Sequence, residues 1–241
     1  LATITGISLL DTFVTFNPVY AKYSKSSFSR PTHNFPLIIA IVAGTQPLSL
    51  TICSCKKEKD DNVITIGASS TPHAQILEQA RTLLAAKGYT LEIIVMDDYV
   101  TPNISLYEGS IDANYFQHTP FLNDFNLNNG TNLVSAGLIH YEPFGLYGNG
   151  ITSIAGSNKQ ILIPNDGSNR SRALFLLQQV GLITLKEGID PADIITQKDI
   201  VDFKGCVITE LKAANVSPAL RSSSTGTLAV VNGNYALSNG L

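Results

Sequence analysis

A charge excess of either sign is missing from this 241-residue chain: 16 Lys and Arg stand against 19 Asp and Glu, a net charge of −3. No stripe of Arg and Lys interleaved with aromatics occurs, so the sequence offers no nucleic-acid surface. Cysteine is scarce as well. There are three (Cys53, Cys55 and Cys206), and Cys206 has no obvious partner, which argues against a disulfide framework. Cys-x-Cys also has the wrong count and spacing for a structural zinc site. A long hydrophobic run is lacking too. The run Leu37 to Gly44 (LIIAIVAG) has about 8 residues, where a membrane-spanning helix needs about 20. His-x-x-x-His, Gly-x-Ser-x-Gly and P-loop spacings are absent. His73, His118 and His140 with Asp97, Asp98 and Asp112 therefore make no recognisable metal or acid–base set, and a metal-dependent hydrolase is the weakest reading. No cofactor is called for.

What is present begins with an address. Lys22, Lys25 and Arg30 precede the short apolar run, and Leu-Thr-Ile-Cys-Ser-Cys and a polar stretch, Lys56 to Asn62, follow it. A positive segment, a short apolar segment and a small residue before a cysteine form the pattern of an exported lipoprotein precursor. Cys55 is the better lipidation site, because Ser54 is small enough for cleavage and Ile52, ahead of Cys53, is not. Residues 35–55 then read as the signal segment and 56–62 as a polar tether that holds a folded domain beside the membrane. The only methionine is Met96, and residues 1–34 read as leader or upstream read-through with no fold assigned.

From Val63 onward strand and helix alternate. Val63–Gly67 is a short β-branched run. Ser69, Ser70 and Thr71 offer N-caps ahead of Pro72, and Ile76, Leu77, Ala80, Leu83 and Leu84 recur at helical spacing before Gly88. Leu91–Val95 is a second strand, which completes a unit of the length expected for a right-handed parallel crossover. Later, Gln160–Ile163 reads as a strand, Ser168 or Asn169 caps a helix that runs through Val180, and Cys206–Glu210 and Leu228–Val231 read as further strands. Two α/β sections joined near Tyr141–Gly150 imply two lobes with a cleft between them.

Several segments in one collinear order resemble the methionine-binding lipoproteins of ABC importers, the NlpA/MetQ family. They are Asp98 to Asn103 (DYVTPN), Ile111 to His118 (IDANYFQH), Ile163 to Asp166 (IPND), Ser168-Asn169 with Arg172-Ala173-Leu174, Gly181 to Gly188 (GLITLKEG) and Val231 to Ala236 (VNGNYA). The resemblance implies an α/β periplasmic-binding-protein fold of type II and no chemistry on the ligand. It places the first lobe at 63–145 plus 232–241 and the second at 146–231. It also implies a binding role for six residues. Arg172 would take the carboxylate of an amino acid, through its bidentate guanidinium and the positive end of its helix. Asn232 and Asn165 would meet the ammonium, and Tyr99, Phe116 and His118 would wall the thioether. Phe116 and His118 are two apart, so an extended segment turns both to one side.

Departures from the family pattern are local. Gly167 stands where proline is common, Val216 to Leu220 reads VSPAL, and Arg221 to Gly226 replaces an acidic stretch. The family continues for some tens of residues past the Asn-Tyr-Ala motif, so the C-terminus reads as truncated. The expected partners are methionine or a relative of it, a permease and an ATPase, and the membrane through the lipid, at the periplasmic or extracellular face of the envelope. L-Met, D-Met and a Met dipeptide all stay open as ligands. A surface lipoprotein with an adhesive or structural role and no transport is the alternative.

Overall fold

The computed structural model describes residues 2–16, 60–151, 153–154 and 158–241, and the backbone alone over 2–16. Cys53 and Cys55 lie outside the described residues. The strands are β1 (Ala2–Phe16), β2 (Val63–Ala68), β3 (Thr90–Val95), β4 (Ala113–His118), β5 (Val134–Gly148), β6 (Gln160–Pro164), β7 (Thr184–Leu185), β8 (Ile200–Asp202), β9 (Val207–Leu211) and β10 (Leu228–Asn232). The helices are α1 (Gln75–Ala85), α2 (Thr101–Tyr107), α3 (Thr119–Asn129), α4 (Gly167–Gln179), α5 (Ala213–Ser222) and α6 (Gly233–Ser238). No helix among the described residues is long and apolar enough to cross a membrane.

Eight strands form one sheet in the order β3-β2-β4-β1-β5-β10-β6-β9, and β7 pairs with β8 in a separate ribbon. At one end, β2 lies parallel to both β3 and β4. At the other, β6 lies parallel to both β10 and β9. Both ends are thus built from strand–helix–strand crossovers, as the alternating pattern predicts. Buried on both faces, such strands run apolar without alternation: β10, with sequence LAVVN, is buried throughout.

Four apolar clusters pack the molecule. Two draw on residues 66–133 only, around Tyr115 and Leu91 and around Phe116 and Phe125. The other two draw on residues from 144 onward, where α4 contributes Leu174 and Leu177 and α5 contributes Val216 and Leu220.

Three readings differ from this fold. Residues 1–34 carry no assignment in the sequence, yet the backbone of Ala2–Phe16 forms a strand antiparallel to both β4 and β5. The stretch Tyr141–Gly150, read as a join between lobes, is mostly the second half of β5, which pairs antiparallel with β10. The cap of α4 is Asp166 rather than Ser168 or Asn169: its carboxylate accepts from the Asn169 backbone N–H at 2.9 Å. An aspartate at this position satisfies an otherwise orphaned donor and complements the helix dipole.

Candidate functional site

A small, partly open cavity lies where β4, α3, β5, α4 and the end of β10 meet. Tyr99, Phe116, Gln117, His118, Phe121, Glu142, Asn169 and Asn232 line it.

The cavity wall on β4 is rigid by construction. All six residues of β4 are buried, although Asn114 and Gln117 are polar. Their amides close a network with Asn103 of α2. Asn103 Nδ2 donates to Gln117 Oε1 at 2.9 Å, and Gln117 Nε2 and Asn114 Nδ2 each donate to Asn103 Oδ1 at 2.8 Å. Buried amides that satisfy one another in this way fix side-chain geometry.

His118 ends that strand and caps α3. Its Nδ1 accepts from the Phe121 backbone N–H at 3.2 Å. Nδ1 is therefore bare and Nε2 carries the hydrogen, which points at Asn169 Oδ1 3.0 Å away. Both nitrogens are used by the neutral tautomer. Burial, with the nearby Arg172 charge second, pushes the pKa of His118 down to about 3.

Asn169 Oδ1 is the meeting point of the polar side. Besides His118 it accepts from Asn232 Nδ2 at 3.0 Å and from Arg172 Nη1 at 2.9 Å. Asn169 Nδ2 in turn donates to Asp166 Oδ1 at 2.9 Å. The Arg172 guanidinium stacks over the Phe144 ring, 4.3 Å from its centroid, a cation–π contact. Burial lowers its pKa to about 10, still well above neutrality, so the charge persists. Asn232 Oδ1 is buried and accepts no hydrogen bond among the described residues.

The aromatic side joins Tyr99 to Phe116 and Phe121 at centroid distances of 5.7 and 5.6 Å. The Tyr99 hydroxyl donates to Asn234 Oδ1 at 2.6 Å, which ties this ring to α6. Gly233 lets α6 start against β5, because a Cβ there would sit 2.7 Å from the Pro143 carbonyl oxygen.

Five of the six residues with an expected binding role come together here. Tyr99, Phe116, His118 and Asn232 line the cavity, and Arg172 stands behind Asn169. Asn165 is not brought to it. Its side chain is exposed, and its backbone N–H donates to the Leu211 carbonyl at 2.8 Å. Asn169 as a contact, and Phe121, Gln117 and Glu142 as lining residues, are not expected from the sequence. Gln117 lies inside the IDANYFQH run, but the other two have no local signal.

A family model described as NlpA lipoprotein matches residues 64–241. The chain is 35% identical to the methionine-binding lipoprotein MetQ of Bacillus subtilis, over 76% of this chain and 68% of that one. Among solved structures, a nutrient binding protein of Burkholderia cenocepacia bound to methionine superposes with a TM-score of 0.69. The two are 35% identical over 74% of this chain and 75% of that one. An ABC transporter periplasmic substrate-binding protein of Coxiella burnetii superposes with a TM-score of 0.65, 37% identity, and 74% of each chain covered.

Proposed function

Because this chain belongs to the NlpA lipoprotein family, we propose that it is the substrate-binding lipoprotein of an ABC importer, which holds methionine in this cavity and hands it to a permease driven by an ATPase. The observation that carries this reading is a bare amide oxygen and an aromatic wall around one small space, with a buried guanidinium held just behind Asn169. A free amino acid needs one partner for each of its three parts.

The carboxylate goes to Arg172. A guanidinium held by Asn169 and stacked on Phe144 has lost its freedom before the ligand arrives, so little further entropy is lost on binding. The ammonium goes to Asn232 Oδ1, whose acceptor capacity is unused. Glu142 in the cavity wall adds an acceptor-only group that favours a cation when ionised. The thioether goes to Tyr99, Phe116 and Phe121, where each sulfur–aromatic contact contributes about 0.3–1.5 kcal/mol.

Two lobes, 63–145 plus 232–241 and 146–231, follow from the family resemblance; the split between the clusters of residues 66–133 and those from Phe144 onward supports the division at residue 145, while Tyr235 and Ala236 pack with Val216 and Leu220 of the second lobe. The chain carries out no chemistry on its ligand. It sits at the outer face of a cell membrane, held there by a lipid on Cys55. Calorimetric titration with L-Met, D-Met, Gly-Met and Leu tests the reading. The expected result is one site per chain with methionine preferred to leucine. No heat with any of the four would overturn it.

A further inference from the structure

A second polar cluster lies beside the cavity and shares only Glu142 with its wall. His73 follows β2 in the turn Ser70–Ala74, and His140 and Glu142 lie on β5. The Nε2 atoms of the two histidines stand 3.8 and 3.9 Å from the same carboxylate oxygen, Glu142 Oε1. One donor atom from each of the three residues falls within 4.8 Å of the other two. We propose that His73, His140 and Glu142 form a binding site for a single divalent transition-metal ion, with Zn²⁺ the preferred occupant.

Two observations support an ion here over a core histidine packed for shape alone. First, His73 is 0% exposed, and neither of its ring nitrogens has a hydrogen-bond partner among the described residues. Glu142 Oε1 is likewise buried without one. Buried polar atoms in native proteins are nearly always satisfied, and each exception calls for a cause. A cation between them would satisfy both residues at once. Second, the orientation is that of ligands. His140 Nδ1 is engaged by the Tyr115 hydroxyl, which turns Nε2 toward Glu142. A metal-binding imidazole commonly has its other nitrogen fixed in this way.

The donor set selects the ion. Two imidazoles and one carboxylate suit Zn²⁺ and its first-row neighbours, whereas Mg²⁺ and Ca²⁺ prefer all-oxygen shells. Tetrahedral Zn²⁺ with bonds of about 2.0–2.2 Å sets its donors about 3.3–3.5 Å apart. The 3.8 and 3.9 Å sides need only small rotations to reach that. His140 and Glu142 keep 21% and 12% of their side-chain surface exposed, which leaves a way in and a fourth position for water. The proposal is independent of which small molecule the cavity takes.

Co²⁺ is the probe, added to the full chain with Cys53 and Cys55 changed to serine so that thiolates cannot compete. One equivalent should bind, with the visible ligand-field bands of a four- or five-coordinate ion. His140→Ala and Glu142→Gln should each weaken binding more than tenfold, and Tyr115→Phe about tenfold. His73→Ala leaves a hole in the core, so the two β5 variants, checked for folding by circular dichroism, carry the test. A parent that takes up no Co²⁺, or folded β5 variants that bind it as tightly as the parent, would overturn the proposal.

Discussion

Arg172 donates to the side-chain oxygen of Asn169, 2.9 Å away and one turn earlier on α4, and that same oxygen receives Asn232 from β10 and His118 from β4. One amide oxygen thus ties together three elements, two of them strands separated in the sheet by β1 and β5. The guanidinium is aimed by this contact and by the Phe144 ring beneath it.

Arg172→Ala should abolish measurable methionine binding, a loss of about 2–5 kcal/mol for one partner of a buried charge pair. Arg172→Lys should recover little, because an ammonium lacks the planar fork. Asn169→Ala should also weaken binding while leaving the charge in place. Calorimetry on the three variants ranks them; an Arg172→Ala protein that binds like the parent would remove Arg172 from the site.

Phe116 offers its ring to the cavity and is otherwise buried. Phe116→Leu keeps most of the volume and removes the aromatic face. The preference for methionine over leucine should shrink by up to about tenfold, the equivalent of one sulfur–aromatic contact, with the carboxylate contact untouched. Competition titrations measure the ratio directly.

Stability should fall in mild acid. His118 titrates near 3 in the folded chain and near 6.5 when unfolded, so between those values the unfolded state binds more protons. Stability is therefore full above about pH 6.5 and declines below it, by at most about 1.4 kcal/mol per pH unit from this residue. Urea midpoints from pH 7.5 to 5 should drop accordingly. In His118→Gln the drop should be shallower, and equal slopes would show that His118 is not the group responsible.

Asp166 holds the start of α4 through three hydrogen bonds to one carboxylate oxygen, from the Asn169 backbone, the Asn169 side chain and Ser168. Asp166→Ala should cost about 1–2 kcal/mol as a lost cap. It should weaken methionine binding as well, because Asn169 loses its anchor. Chemical denaturation and calorimetry on the same variant should show both effects together.

Legibility in the sequence followed locality. Helical spacing over residues 76–84, the unbroken run of β10 and the two-residue step from Phe116 to His118 are properties of neighbours along the chain, and each has its counterpart in the structure. Asn169 reads as a cap because asparagine at a helix start usually is one; two of its side-chain partners, His118 and Asn232, lie 51 and 63 residues away. Asn165 was read as a contact, yet it faces solvent in the turn before α4, a place asparagine also favours. Glu142 and His73 are 69 positions apart and meet only because β5 crosses the sheet beside the turn after β2. No spacing rule reaches that far. Tyr141–Gly150 reads as the join between two α/β sections, and its pairing with β10 is a long-range contact that no local pattern announces.

The closed amide trio of Asn103, Asn114 and Gln117 bears on kinetics. A wall already locked by its own hydrogen bonds has no induced fit to undergo, so arrival of the ligand should be limited by encounter and passage through the opening. Differences among ligands would then appear as differences in residence time. Exchanging Asn103 for leucine would take a hydrogen bond from each of Asn114 and Gln117, loosen the β4 face and make association itself slower and temperature-sensitive.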